Sequence, residues 1–233
     1  MKADLIRFRE FSDRTAAGCA AAELIAESIS ACLEQQSQCG LVVSGGSTPG
    51  PCFDELSTLS LDWSKVIVIP SDERWVPADH PDSNERLIRE RLLHDQAAPG
   101  GFLPLFREGV AAGEAPALID RSLARIPSPL GCVLLGMGED GHFASLFSDF
   151  EGLRAALEPE SKNLSLVVQT AGSPHLRISL SLAALINTRQ TVLLIFGQSK
   201  REVFEAAVQG GSGYPVESLL RHTGSPLTVI WAP

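Results

Sequence analysis

Short, nearly continuous apolar runs, set apart by helix-like stretches, are the feature that most constrains this chain. The runs are Gly40–Ser44, Lys65–Pro70, Gly131–Gly136, Leu164–Gln169, Arg177–Leu182, Gln190–Phe196 and Leu227–Trp231. A strand that is apolar on both faces has to be covered on both faces, and a helix between successive strands supplies that cover. Asp13–Gln36 is rich in Ala and Glu with apolar residues at helical spacing, Ser83–Leu93 opens on a Ser that can cap it, and Ser199–Val208 also reads as helix. The pattern predicts an α/β fold with a mostly parallel sheet and helices on both faces. Gly, Pro and Ser cluster at 44–51, 97–101, 109–116 and 209–215, each short enough to be a loop. Without a linker or internal repeat, residues 1–233 read as one domain.

Composition limits the partners. Hydrophobic residues make up 44% and charged residues 20%, the usage of an ordinary globular domain. A formal net charge of −9 repels polyanions, so nucleic acid is excluded as a partner while a small anion held by a few local cations is not. The five cysteines are odd in number, scattered, and lack CxxC or zinc-type spacing, which points to a reducing compartment and no metal. Residues 1–30 lack the order of a signal peptide, and no run approaches the roughly 18 apolar residues that span a bilayer. A cytoplasmic enzyme without a membrane partner is the simplest expectation.

In open α/β sheets, ligands bind beyond the carboxyl ends of the strands, so the residues following each run carry the functional information. Four such loops stand out. Ser44-Gly45-Gly46-Ser47-Thr48-Pro49 follows a strand and leads into a helix. Glycines admit a ligand close to the backbone, and free N–H groups and hydroxyls suit a phosphate, although a tight strand-to-helix turn would need one of those glycines anyway. The loop is neither a Walker A sequence nor a nucleophile elbow, since no Lys-Ser/Thr follows and Val42 stands where the elbow needs Gly.

The second loop, Ser71-Asp72-Glu73-Arg74-Trp75-Val76-Pro77, gathers two acids and an Arg at a strand end. Arg74 could grip a phosphate through two nitrogens, or the loop could be a solvated segment with an internal Arg–carboxylate pair. The third, Gly136-Met137-Gly138-Glu139-Asp140-Gly141-His142, matches G-x-G-x-x-G. Glu139 and Asp140 would face a pyrophosphate, and no acid ends the next strand run, so a dinucleotide is disfavoured. The glycines can instead aim His142 into a cleft, where imidazole serves as a base near neutral pH, or His142 can simply cap a helix. The fourth, Phe196-Gly197-Gln198-Ser199-Lys200, would add Lys200 to the same sheet edge. His80, His94, His175 and His222 show no partner spacing and read as ordinary histidines.

Taken together, Ser44–Pro49, Asp72-Glu73-Arg74 with Val76-Pro77, Gly136–Phe147 and Gly197–Lys200 resemble the 6-phosphogluconolactonase family in order and spacing over nearly the whole chain. The most specific stretch is GMGEDGHFASLF, from Gly136 to Phe147. Glucosamine-6-phosphate deaminases share the glycine loop, the first acidic loop and Asp-Gly-His, but continue with an apolar pair and Asn-Glu-Pro. This chain reads Phe143-Ala144-Ser145-Leu146-Phe147 instead, and carries Arg74 where deaminases typically have Tyr. It departs from the lactonase pattern at Ser148-Asp149, where Pro is common, and at Ser173–Leu176, usually richer in Pro.

The resemblance implies a modified Rossmann-like fold, no metal or cofactor, and opening of a phosphorylated lactone in the oxidative pentose phosphate pathway by a monomer or small homo-oligomer. By position, Gly45, Gly46, Ser47 and Thr48 would hold the substrate phosphate, with Arg74 and Lys200 as clamps and Asp72 beside them. His142 would be the general base. Asp140 would orient its ring or hold substrate hydroxyls, and Arg177 would steady the developing oxyanion. The alternatives are the aldose–ketose isomerase and deaminase branch, a non-catalytic sugar-phosphate-binding regulator, and a nicotinamide-dependent dehydrogenase.

Overall fold

The computed structural model describes residues 3–233. After a 3-10 turn the chain runs β1 (Ile6–Glu10), α1 (Arg14–Leu33), β2 (Cys39–Val43), α2 (Gly50–Leu56), β3 (Val66–Pro70), β4 (Asp72–Arg74), α3 (Asn84–Arg91) and β5 (Gly101–Phe102). It continues through α4 (Ala115–Leu123), β6 (Leu130–Leu135), α5 (Leu153–Ala156), β7 (Ser165–Val168), β8 (Arg177–Leu180), α6 (Leu182–Ile186), β9 (Thr188–Phe196), α7 (Gln198–Gln209), α8 (Pro215–His222) and β10 (Leu227–Ala232).

Seven strands form one parallel sheet in the order β1-β10-β9-β6-β2-β3-β5, and the expected α/β fold is borne out. Alternation along each strand divides the core. Leu41, Val43, Cys132, Leu134, Val192 and Leu194 face α1, α2 and α3, packing with Ala21, Ile25, Ile29, Phe53 and Ile88. Val42, Val133, Leu135, Leu193 and Ile195 face the other way, against Ile119, Leu185, Phe204 and Leu219 from α4, α6, α7 and α8. Local signals set the helix starts. Asp13 caps α1 through a bond from Ala16 N (2.9 Å), and Ser83 caps α3 through one from Arg86 N (3.2 Å).

By length and composition α1 could cross a membrane, which the run-by-run reading missed because polar residues interrupt it. Its apolar side is spent on the core instead: Ala17, Ala21, Ala22, Ile25 and Ile29 are fully buried.

A second correction concerns the runs Leu164–Gln169 and Arg177–Leu182. They become β7 and β8 of a separate three-stranded antiparallel sheet, ordered β4-β8-β7. Its Ile178 and Leu180 pack into the same core layer as α4 and α6, so an apolar run there does not require membership of the main sheet. Strands β1 and β5 leave no apolar run in the sequence, because one is a mostly exposed edge and the other is two residues long.

From β2 the chain moves outward to β3 and β5, then returns to lay β6 on the opposite flank of β2 before continuing to β9 and β10. The direction of winding therefore reverses between β2 and β6. At such a point the loops leaving neighbouring strands diverge and open a crevice at the carboxyl edge.

Candidate active site

A cleft of about 230 Å³ occupies that switch point, smaller than the roughly 300–1,000 Å³ of drug-sized pockets and suited to a small polar ligand. It is lined by Gly45, Gly46, Thr48, Asp72, Arg74, His142, Arg177 and Lys200. The four loops thus converge because β3, β2, β6 and β9 are consecutive neighbours in the sheet. Two predicted residues stand apart: Ser47 and Asp140 are both exposed and do not line the cleft. Ser44, Gly136, Met137, Gly138, Phe143 and Ala144, members of the same sequence motifs, also line it, and Asn84 joins them from the start of α3.

His142 is held by its neighbours. Its Nδ1 lies 2.5 Å from Asp140 Oδ1, and Phe147 packs against the ring with centroids 4.3 Å apart. A carboxylate can only accept, so Nδ1 carries the proton and Nε2 presents a lone pair. Burial works to raise the Asp140 pKa, but the hydrogen bond and charge of His142 outweigh it and keep the carboxyl below its usual range. Gly138 is needed for this arrangement: a Cβ there would sit 2.3 Å from His142 Cε1 and Nδ1. The loop closes on itself through Gly138 N to His142 O (2.9 Å), and Val216 N donates to Gly141 O (2.9 Å).

Behind that loop, Glu217 accepts from Gly211 N (3.0 Å), Ser212 N (3.0 Å) and Ser212 Oγ (2.9 Å). The Gly211 amide bond, joined by those of Ser212 and Gly213 and opposed by burial, pulls its pKa down to about 2. It fixes the turn that carries Tyr214, whose side chain lies over the Gly141 backbone. Glu217 carried no signal in the sequence, since its role depends on a glycine turn whose packing partner lies over 70 residues away.

The acidic loop is neither solvated nor internally paired. Glu73 is buried, and its carboxylate accepts from Arg74 N (2.7 Å), Ser83 Oγ (3.1 Å), Asn84 N (2.8 Å) and Glu85 N (2.7 Å). It ties β4 to the start of α3; burial raises its pKa against the pull of those bonds. The Arg74 guanidinium is left to face the cleft, anchored by Nη1 to Asp82 O (2.6 Å). Asn84, fixed by Nδ2 to Asp72 O (2.8 Å), meets the glycine loop so closely that a Cβ on Gly45 would lie 2.0 Å from Asn84 Oδ1.

Asp72 is buried, accepting from Ser71 Oγ (2.9 Å) and Ser145 Oγ (2.6 Å), with Arg177 Nη1 at 3.6 Å. Arg177 also reaches Ser173 Oγ (3.1 Å) and lies over Phe147. Arg74 and Arg177 are direct cross-strand partners in β4 and β8. Like charges at opposed positions destabilise a sheet unless something anionic lies between or beside them. Burial, aided by Arg74 and opposed by Asp72, lowers the Arg177 pKa. Burial likewise lowers that of Lys200, against the pull of Glu139. Ser44 Oγ and Arg74 Nε, both buried at the cleft, have no hydrogen-bond partner among the described residues. Three cations, two unmatched polar atoms and a glycine loop thus surround the cleft, with the Asp140-bonded imidazole at its edge.

Fold and site together make this a Rossmann-like α/β protein whose switch-point cleft gathers three cationic side chains beside a histidine. Comparison with known proteins narrows the class. The profile of the family described as glucosamine-6-phosphate isomerases/6-phosphogluconolactonase matches residues 12–231. A 6-phosphogluconolactonase from Mesorhizobium japonicum is 38% identical over 96% of this chain and 94% of its own. One from Pseudomonas aeruginosa is 40% identical over 90% and 87%. The crystal structure of a 6-phosphogluconolactonase from Shewanella baltica superposes with a TM-score of 0.93 at 35% identity, covering 98% of each chain. The chain belongs to the glucosamine-6-phosphate isomerase/6-phosphogluconolactonase family.

Proposed function

We propose that this protein hydrolyses 6-phospho-D-glucono-1,5-lactone to 6-phospho-D-gluconate, the lactone-opening step of the oxidative pentose phosphate pathway. The observation that carries the reading is the His142 imidazole, tied through Nδ1 to Asp140 and bordering a cleft that also holds Arg74, Arg177 and Lys200. The relatives' names support the same activity.

The phosphate binds to the 44–49 loop, through Gly45, Gly46 and Thr48, with Arg74 and Lys200 as its cations. Ser47 sits on the loop's exposed rim, outside the cleft lining. A δ-lactone is already an activated ester, so no covalent nucleophile is needed. Water attacks C1 as His142 Nε2 takes its proton, a contribution of roughly 10²–10⁴-fold for a well-placed base. The carbonyl electrons move onto oxygen, steadied by Arg177. They return as the C1–O bond to the ring oxygen breaks, and His142 gives its proton to that oxygen. Asp140 lies outside the cleft lining, which favours ring orientation over contact with substrate hydroxyls. Anchoring the distant phosphate positions C1, so remote binding energy lowers the barrier. The chemistry uses protein groups alone.

The test generates the lactone in situ with glucose-6-phosphate dehydrogenase and follows its disappearance above spontaneous hydrolysis. Acceleration by the wild type, lost in a folded His142→Ala variant, is the expected result. No acceleration, together with ammonia release from glucosamine 6-phosphate, would transfer the site to the isomerase and deaminase branch. Against that branch, Phe143–Phe147 contains no acid, and Phe143 and Leu146 are wholly buried.

A further inference from the structure

Outside the cleft lining, one cluster of chemically capable side chains has no part in the proposed reaction. His80 and Asp82 lie in the loop between β4 and α3, and His175 lies just before β8. Sequence spacing gave no hint that they meet, yet one potential ligand atom from each falls within 4.8 Å of the others. Asp82 Oδ2 is 3.0 Å from His175 Nε2 and 3.9 Å from His80 Nδ1. We infer that His80, Asp82 and His175 form a binding site for one divalent transition-metal ion of the Zn²⁺ type.

Three arguments converge. Metal–nitrogen and metal–oxygen bonds of about 2.0–2.1 Å in a tetrahedron put neighbouring ligand atoms roughly 3.3 Å apart, and the two separations from Asp82 Oδ2 bracket that edge. The donor set is two imidazoles and one carboxylate, which suits Zn²⁺, Ni²⁺ or Cu²⁺ and not Mg²⁺ or Ca²⁺, whose sites are built from oxygen. His80 Nδ1 carries no proton, because Asp82 N donates to it at 3.1 Å, so its lone pair can pass to a metal ion by exchanging that neutral contact for a metal–nitrogen bond. The imidazoles, edge to face with centroids 5.4 Å apart, are only part-buried, so an ion enters from solvent and keeps water at its remaining position.

The site sits where it can act on the cleft. Arg74 bonds the Asp82 carbonyl, Trp75 N donates to Leu176 O (2.7 Å), and Arg177 bonds Ser173, whose hydroxyl in turn donates to His175 O (2.9 Å). An ion shared by His80, Asp82 and His175 cross-links the two segments that present the opposed Arg74 and Arg177.

Calorimetric titration of the chelator-treated protein with Zn²⁺, and the visible spectrum with Co²⁺, test this directly. One ion per chain is expected, with a tetrahedral-type Co²⁺ spectrum. Affinity should fall by on the order of 100-fold in His175→Ala and in His80→Ala, since loss of even an outer partner costs roughly 10–100-fold. His80→Gln and His175→Gln, which keep bulk, serve if an alanine variant does not fold. No saturable binding by the wild type overturns the inference. So does binding that survives both the His80 and His175 changes but is lost in His142→Ala, which would assign the ion to the His142–Asp140 pair. These readouts do not depend on lactone turnover.

Discussion

The two sheets supply the cleft in different ways. The parallel sheet contributes loops: glycines and backbone amides at 44–46, the folded-back 136–142 segment with its imidazole, and Lys200 on the first turn of α7. The small antiparallel sheet contributes strands, with Arg74 and Arg177 opposed in register. A loop can aim an amide or one imidazole, because these groups do not repel each other and bend easily into place. Two guanidinium groups do repel, and holding both near one point takes a paired backbone and a buried counter-charge. Asp72 and the Ser71 and Ser145 hydroxyls provide that counter-charge and its support. The loop half thus carries the imidazole, the amides and one cation, and the strand half the pair of opposed guanidinium groups.

Breaking the loop half at its reacting group has the largest expected effect. His142→Ala should lower kcat by about 10²–10⁴-fold while leaving KM and Tm near wild type; an unchanged kcat in a folded variant would remove the proposed base. Gly138→Ala attacks the same half indirectly, since its Cβ would displace an imidazole 2.3 Å away. Misplacement on the order of 1 Å costs roughly 10²-fold, so kcat should drop with KM little changed. An unchanged kcat would show that the loop tolerates the methyl.

The strand half is tested by Arg74→Met. Loss of a hydrogen bond to a charged group, about 1.5–3 kcal/mol, corresponds to a fall of roughly 10–100-fold in kcat/KM. Glucono-lactone without phosphate should be hydrolysed poorly and equally by variant and wild type. An equal loss on both lactones would move Arg74 from the phosphate to the reacting carbonyl.

The smallest effect is expected behind the loop. Glu217→Gln removes the charge that organises the 211–213 amides, and Tm at pH 7 should fall by about 2–4 °C. Because the folded pKa of about 2 lies below the ordinary 4.5, this stabilisation is complete above pH 4.5 and is lost as pH falls toward 2. The difference between variant and wild type should therefore close over that window in a pH series of melting curves. A gap independent of pH would mean that shape, and not charge, holds the turn.

Residue pattern alone determined a good deal here. Apolar runs alternating with helices define a parallel sheet covered on both faces, because such strands have no other way to bury both sides, and loops after those strands are where glycines and charges must cluster. Gly45, Gly46, Thr48, Arg74, His142 and Lys200 were legible for that reason. Tertiary structure alone decided what depends on two distant segments meeting. It took Leu164–Gln169 and Arg177–Leu182 out of the main sheet, set Arg177 opposite Arg74, turned Glu73 inward as a clamp, and brought His175 to Asp82 across 93 positions. Periodicity reports which face of an element is buried; it does not report against what, and pairing, counter-charge and ligand geometry are all properties of that second partner.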